Sequence, residues 1–428
     1  MQVFVFFIIS LHKYYHCLIE GDCSYTVVAQ PSLPTRMRDK SGGIIREMRE
    51  ITNLNRRKMT TSHYIINKLG LVITIMLLSV IVASCTKESN TIFMPDPVDL
   101  PNSSPLVTVV YDPNGLGDRS YNDLIYQGVE IAAQKYGLRT LQLSPSSQQE
   151  GLKYVQTTIA QMVAQTDTIR RLLIVAGASY DDYLRANNNL LDANNYTELL
   201  YLDTNIPLNG KGSTLYLPYY GAMFEAGALA PAFTDEVLLI GANPINAAVA
   251  EAVQGFTDGY ASSLVECFDF LGRQVEPKLH TVWLSNHVAG GFTVADSTTL
   301  KLIHSVPWQS ITRTLVPVCG GAARTFNRII ETLGMYDYIG VDTISISTHC
   351  HFSVVKHIDR AVSRSIGQWL SDEGMPKHQT LGLADGYTEV IIHPILKIYA
   401  EQFQQRVSDG KQNIIHELAI RKEAEHDK

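Results

Sequence analysis

The chain is poor in cysteine. Its six cysteines, Cys17, Cys23, Cys85, Cys267, Cys319 and Cys350, are scattered over 428 residues without a CxxC pair. That argues against a disulfide framework and against a zinc ribbon. It is also poor in charge: 18% of residues are charged, the net charge is -7, and the folded part has no long basic run. A general nucleic-acid binder neutralises phosphates with Lys and Arg, so no nucleic-acid partner is expected. Several catalytic signatures are missing. There is no Gly-Lys-Ser/Thr phosphate loop and no G-x-S-x-G elbow. The chain is therefore not expected to be an enzyme, and no cofactor or metal is expected. The tract "THCHF" (348–352) puts His349 and His351 on one side of a strand, without an acid nearby in sequence. Those two read as strand-end residues.

What is present begins with an uncharged apolar run, "LVITIMLLSVIVAS" (71–84). It is short of the roughly 20 residues a membrane span needs. Lys68 precedes it, and Ala83 and Ser84 close it just before Cys85. Charged start, apolar middle and small residues at the cut make a secretory signal. "VASC" (82–85) resembles a bacterial lipobox, which implies that the Cys85 thiol carries the lipid. The following residues are rich in Pro, Ser, Asn and Asp and read as a tether. The expected organisation is an upstream over-extension at 1–58, with the biological start at Met59, then a lipoprotein signal peptide at 59–84. A lipid-anchored tether at 85–104 and a binding domain at 105–428 complete it.

From Leu106 onward, strand-like runs alternate with amphipathic helical ones. "LVTVVY", "LRTLQL", "RLLIVAG", "ELLYLDT", "VLLIGA", "LHTVWLS", "ITRTLVPV" and "DYIGVDT" read as strands. "TLGLADGYTEVII" (380–392) reads as a hairpin, "VVKHIDRAVSRSIGQWLSDEG" (354–374) as one long helix, and 394–411 as a last helix. Such alternation means an α/β protein with parallel sheets. Some ten strands are too many for one compact sheet, so two doubly wound lobes are expected. Lobe I should span roughly 105–232 plus part of 350–380, and lobe II roughly 233–345 plus part of the carboxyl-terminal region.

In open parallel sheets, ligands sit at the carboxyl ends of strands. Those ends carry Asp112, then Gly177 with Asp181 and Asp182, then Asp203, then Cys319 to Gly321, and Asp342. Carboxylates accept hydrogen bonds from hydroxyls and glycines let a backbone approach, so a neutral, hydroxyl-rich ligand suits them. The first of these ends is "VYDPNGLGDRSYND" (110–123). Its Gly115 and Gly117 are followed by Ser120, where a dinucleotide turn wants a third glycine, and Asp118 repels phosphate. Ser120 followed by Asp123 has the spacing of a capping box.

"DRSYN" (118–122), "QGFTDGY" (254–260), "VPVCGGAA" (316–323), "YIGVD" (338–342), "SVVKHIDRAV" (353–362) and "LGLADG" (381–386) follow in order. On these elements the chain from about 106 to 415 resembles the basic membrane lipoprotein family of ABC-importer substrate-binding proteins. The resemblance implies a type I periplasmic-binding-protein fold, with two lobes, a hinge and an interlobe cleft that takes a purine nucleoside. It implies that Asp112 accepts from base or ribose, that Tyr121 stacks on the purine, and that Asn122 hydrogen-bonds nearby. Asp182 stands as the acid after the third strand, with Asp181 as its one-residue alternative. Phe292 is the second aromatic of the sandwich, Gly320 belongs to the glycine turn, Asp342 grips ribose hydroxyls, and Lys356 sits beside that carboxylate. It implies a permease, an ATPase and a lipid-anchored membrane as partners, and a place in the bacterial cell envelope. The chain departs from the family pattern in three places: Tyr121 replaces Phe, the third-strand loop reads "GASYDD", and "TISIS" follows Asp342. A surface lipoprotein using the fold for another small ligand, for signalling or for adhesion is the alternative. A nucleoside-processing enzyme is a third.

Overall fold

The structure, a computed structural model, describes residues 100–262, 274, 276–393, 407 and 409–428. The signal, lipobox and tether expectations, Cys85 included, lie outside the described residues except at 100–104, as does most of the helix expected at 394–411. No helix among the described residues is long and apolar enough to cross a membrane.

The elements run β1 (Leu106–Val110), α1 (Tyr121–Tyr136), β2 (Arg139–Leu143), α2 (Gln148–Ala164), β3 (Arg171–Val175), α3 (Asp181–Asn187), β4 (Thr197–Leu202) and β5 (Gly212–Tyr216). Next come α4 (Tyr220–Leu229), β6 (Glu236–Gly241), α5 (Ala247–Ala261), β7 (Lys278–Trp283), α6 (Asp296–Ser305), β8 (Arg313–Val318), α7 (Gly321–Leu333), β9 (Asp337–Asp342) and β10 (Cys350–Lys356). Then follow α8 (Ile358–Leu370), β11 (His378–Thr380), β12 (Thr388–Ile392) and α9 (Asp409–His426). They build two six-stranded sheets, ordered β11-β5-β4-β3-β1-β2 and β12-β10-β9-β8-β6-β7. Every described pairing is parallel except β10 with β12. The chain has the α/β, two-lobed architecture of periplasmic binding proteins of type I.

Apolar content on both sheet faces explains the doubly wound form. In lobe I, Val107 and Val109 pack with α1 and α8, while Val110 packs with α2 on the other face. In lobe II a single cluster joins the β6, β8, β9 and β10 side chains to α4, α5 and α7. Helices α4 and α5 touch backbone to backbone. A Cβ on Gly255 or Gly259 would stand 2.4 or 2.0 Å from the carbonyl oxygens of Tyr220 and Phe224. No side chain fits there, which accounts for the glycine spacing in "QGFTDGY".

Among the described residues the chain crosses between lobes three times: between β5 and α4, between β10 and α8, and between β11 and β12. Three sequence expectations change here. The first crossing falls at 217–219 and not at 232, because α4 is buried on every side within the lobe II core. The long helix expected from 354 starts at Ile358, since 350–356 form β10 in the lobe II sheet. The expected hairpin is a crossing. β11 pairs with β5 in one sheet and β12 with β10 in the other.

Candidate functional site between the lobes

Each sheet reverses its winding beside its first strand, and there the strand ends open a crevice. In lobe I this is the gap between β1 and β3, and in lobe II the gap between β6 and β8. The two crevices face each other across one cavity. Its lining comes from the loop after β1, the ends of β3, β4, β8 and β9, and the crossing residues Tyr219 and Lys356.

The loop after β1 is held by its own acids. Asp118 accepts hydrogen bonds from the backbone N–H of Ser120 (2.9 Å), Asn122 (3.0 Å) and Asp123 (3.2 Å), and from Asn122 Nδ2 (3.1 Å). Asp123 in turn accepts from the N–H of Gly117 (2.7 Å) and Arg119 (2.8 Å). Asp118 therefore satisfies the first amides of α1, the work expected of Ser120. Ser120 stands at the N-cap without a side-chain cap bond, and its hydroxyl instead donates to Asp342 Oδ2 across the cleft. Asn122 is spent within the loop: its Oδ1 accepts from Asp112 N at 3.2 Å, so it braces Asp112.

Asp112 accepts from Asn114 through backbone (3.1 Å) and side chain, both at Oδ1. Its Oδ2 lies against Gly177, where a Cβ would stand 2.3 Å away. Gly177 has φ 102 and ψ 140, a conformation almost closed to other residues. Gly177→Ala is accordingly expected to cost about 1–3 kcal/mol of stability by thermal unfolding and to displace the Asp112 carboxylate. An alanine variant as stable as the parent would show that this approach is not needed.

The charged floor of the cavity joins both lobes. Lys356, 5% exposed, pairs with Asp203 (19% exposed) at 3.1 Å and lies over the Tyr219 ring at 5.1 Å. Tyr219 donates its hydroxyl to Val354 O (2.9 Å) and accepts from Asp342 N (3.0 Å). Asp203, directly after β4, and Asp342, the last residue of β9, have left-handed φ values of 63 and 70. Two strained acids at strand ends mark a functional site better than either residue type alone.

Burial shapes the protonation of these groups. It pushes Asp112 up to about 6, against the pull of the Asn114 hydrogen bonds. It raises Asp342 as well, with Ser120 and Lys356 opposing. Burial alone would lower Lys356, but Asp203 and Asp342 outweigh it and hold the ammonium above the ordinary lysine range. Tyr121 is pushed well above the tyrosine range by burial, and Asp203 and Asp112 add to that. A hydrogen bond with the Gly177 backbone works the other way.

The cavity brings together Asp112, Tyr121, Asn122, Phe292, Gly320, Asp342 and Lys356. The Phe292 ring packs over Gly320, 3.2 Å from where its Cβ would be. Asp182 is not among them: it is exposed on the first turn of α3. The chain leaves β3 through Gly177 and a short 3-10 turn, Ala178–Tyr180, which carries Asp182 past the crevice. Asp181 turns to Arg185 at 2.7 Å. The acid that reaches the cavity is Asp203, visible in the sequence as the residue after a strand. Tyr219 and Asn246 also line it; neither stands directly after a strand, and the sequence carried no local signal for them. His349 and His351 lie elsewhere, at 3.2 and 3.7 Å from Asp337. No group of three or more metal-ligating side chains occurs among the described residues.

No protein-family model matches the chain. No curated protein matches it either. Solved structures do. An ABC transporter system solute-binding protein from Aeropyrum pernix K1 is similar at TM-score 0.52 and 16% identity, covering 75% of this chain and 86% of that one. A transcriptional activator of the comK gene from Bacillus halodurans is similar at TM-score 0.51 and 16% identity, covering 72% of this chain and 98% of that one. At such identity the likeness establishes the fold. The two named roles differ, so function has to be argued from the site.

Proposed function

We propose that the chain is the lipid-anchored solute-binding component of an ABC importer and that it takes a purine nucleoside between its lobes. The observation that carries this reading is the composition of one cavity. Two aromatic rings, Tyr121 from lobe I and Phe292 from lobe II, share it with Asp112, Asp203, Asp342 and Lys356. Aromatic faces suit a flat base. Carboxylates suit sugar hydroxyls and base N–H groups. Residues from both lobes must meet for the set to be complete, so ligand would favour closure about the three crossings. In this reading Cys85 holds the lipid, the protein faces outward from a bacterial membrane, and a permease and ATPase receive the ligand.

A ligand at one hundred times its Kd stabilises the folded state by about 2.7 kcal/mol. Inosine, guanosine or adenosine is therefore expected to raise the thermal unfolding temperature by several degrees. Hexoses and pentoses serve as the comparison set. No shift with any nucleoside at millimolar concentration would sink the nucleoside assignment, and a shift with a sugar alone would replace it.

A further inference from the structure

We propose that the ligand carries an anionic group, a phosphate or carboxylate, seated in a second chamber at the mouth of the cleft. This rests on the reading of the inner cavity as the ligand site. The inner cavity holds about 100 Å³ of free space. Small-molecule sites commonly measure about 300–1,000 Å³. The adjoining chamber holds about 370 Å³ and shares Asn114, Asp118, Phe292 and Gly321 as a common wall. A ligand whose ring fills the inner space thus extends past Phe292 into the outer one.

The two chambers differ in charge. The inner floor carries Asp112, Asp203 and Asp342 against one Lys356. The outer chamber is lined by Arg324 and Arg328, with Thr293 and Thr325 beside them. The two arginines are four residues apart on α7 and so share one helix face. Arg328 already pairs with Asp296. No acid is paired with Arg324 among the described residues. Asp118, on the shared wall, turns both oxygens into its own loop, where four N–H donors hold them. Its charge is thereby spent locally, and Arg324 is left as the cation for an incoming group. Guanidinium recognises phosphate and carboxylate through paired hydrogen bonds.

The test compares nucleosides with their 5′-monophosphates by calorimetry on the purified protein, for the parent and for Arg324→Gln. The monophosphate is expected to bind about tenfold or more tighter than the nucleoside, the size of one charged hydrogen bond. That advantage should vanish in Arg324→Gln and shrink at high salt, while nucleoside affinity stays unchanged. Equal or tighter binding of the nucleoside would overturn the anionic subsite and leave the nucleoside reading standing. An advantage that survives Arg324→Gln would also overturn it. Binding of neither would overturn the nucleoside reading and the subsite with it.

Discussion

Lys356→Met unfolds at a markedly lower temperature than the parent, with a loss of about 3–5 kcal/mol at neutral pH. The reason is that the substitution removes one member of a buried ion group and leaves the others behind. Asp203 at 3.1 Å and Asp342 in the same cavity would lose their only close cation among the lining residues. Met fills a similar volume, so packing over Tyr219 is largely kept and the deficit is electrostatic. Two pH dependences separate this account from a packing defect. Asp342 is already raised by burial, with Lys356 among the groups opposing. Without the ammonium it protonates more readily, so the deficit should narrow in acid. In the parent, Lys356 is held above its ordinary value. Its contribution is therefore complete below about pH 10.4, the unfolded value, and is lost as pH rises beyond it. The variant should lack that alkaline loss. Calorimetry across pH checks both. A deficit that is constant with pH would mean that Lys356 contributes shape and not charge.

The same lysine shows which parts of the protein were legible in its sequence. Strands such as "RLLIV" and "EVLLIG" were readable because both faces are buried and every position is apolar or nearly so. "GSTLY" is buried at all five positions, yet it is short, opens on Gly and Ser, and shows neither an apolar run nor period-2 alternation. Residues 354–356 read as helix because the next helical run begins two residues later and nothing local marks the break. The crossing read as a hairpin failed for a different reason. Two short strands in succession look alike whether they pair with each other or with distant strands, and here Leu381 N donates to Tyr216 O in the lobe I sheet. The site followed the same division. Acids directly after strands could be found by position alone, and the turn that displaces Asp182 in favour of Asp203 could not. The Ser120–Asp342 contact spans 222 positions and appears only when the lobes are placed together.

That contact sets up the second large effect. Asp342→Asn is expected to weaken nucleoside binding by roughly 10–10²-fold, from a net gain of one charged hydrogen bond at about 1.5–3 kcal/mol. Asn is the informative replacement, because φ at position 342 is 70 and Asn tolerates that region where Ala does not. Shape and backbone are kept while one acceptor becomes a donor. Ser120 now donates to Asp342 Oδ2, and a ligand hydroxyl would take the place of Ser120. The exchange swaps one neutral donor for another at a fixed carboxylate, so closure and binding use the same acceptor. Acid should produce a related loss in the parent. Asp112 is raised to about 6, so its accepting form is depleted as pH falls through that value. A ligand that donates to Asp112 stabilises the ionised form, and affinity should decline below about pH 6 and hold above it. Asp112→Asn should bind weakly and without that decline. Titration calorimetry of the parent and both variants between pH 5 and 8, with thermal unfolding as the control for folding, gives the answer. Parent-like affinity in Asp342→Asn would remove Asp342 from the ligand contacts, and the acidic floor would then serve to hold Lys356 rather than to hold ligand.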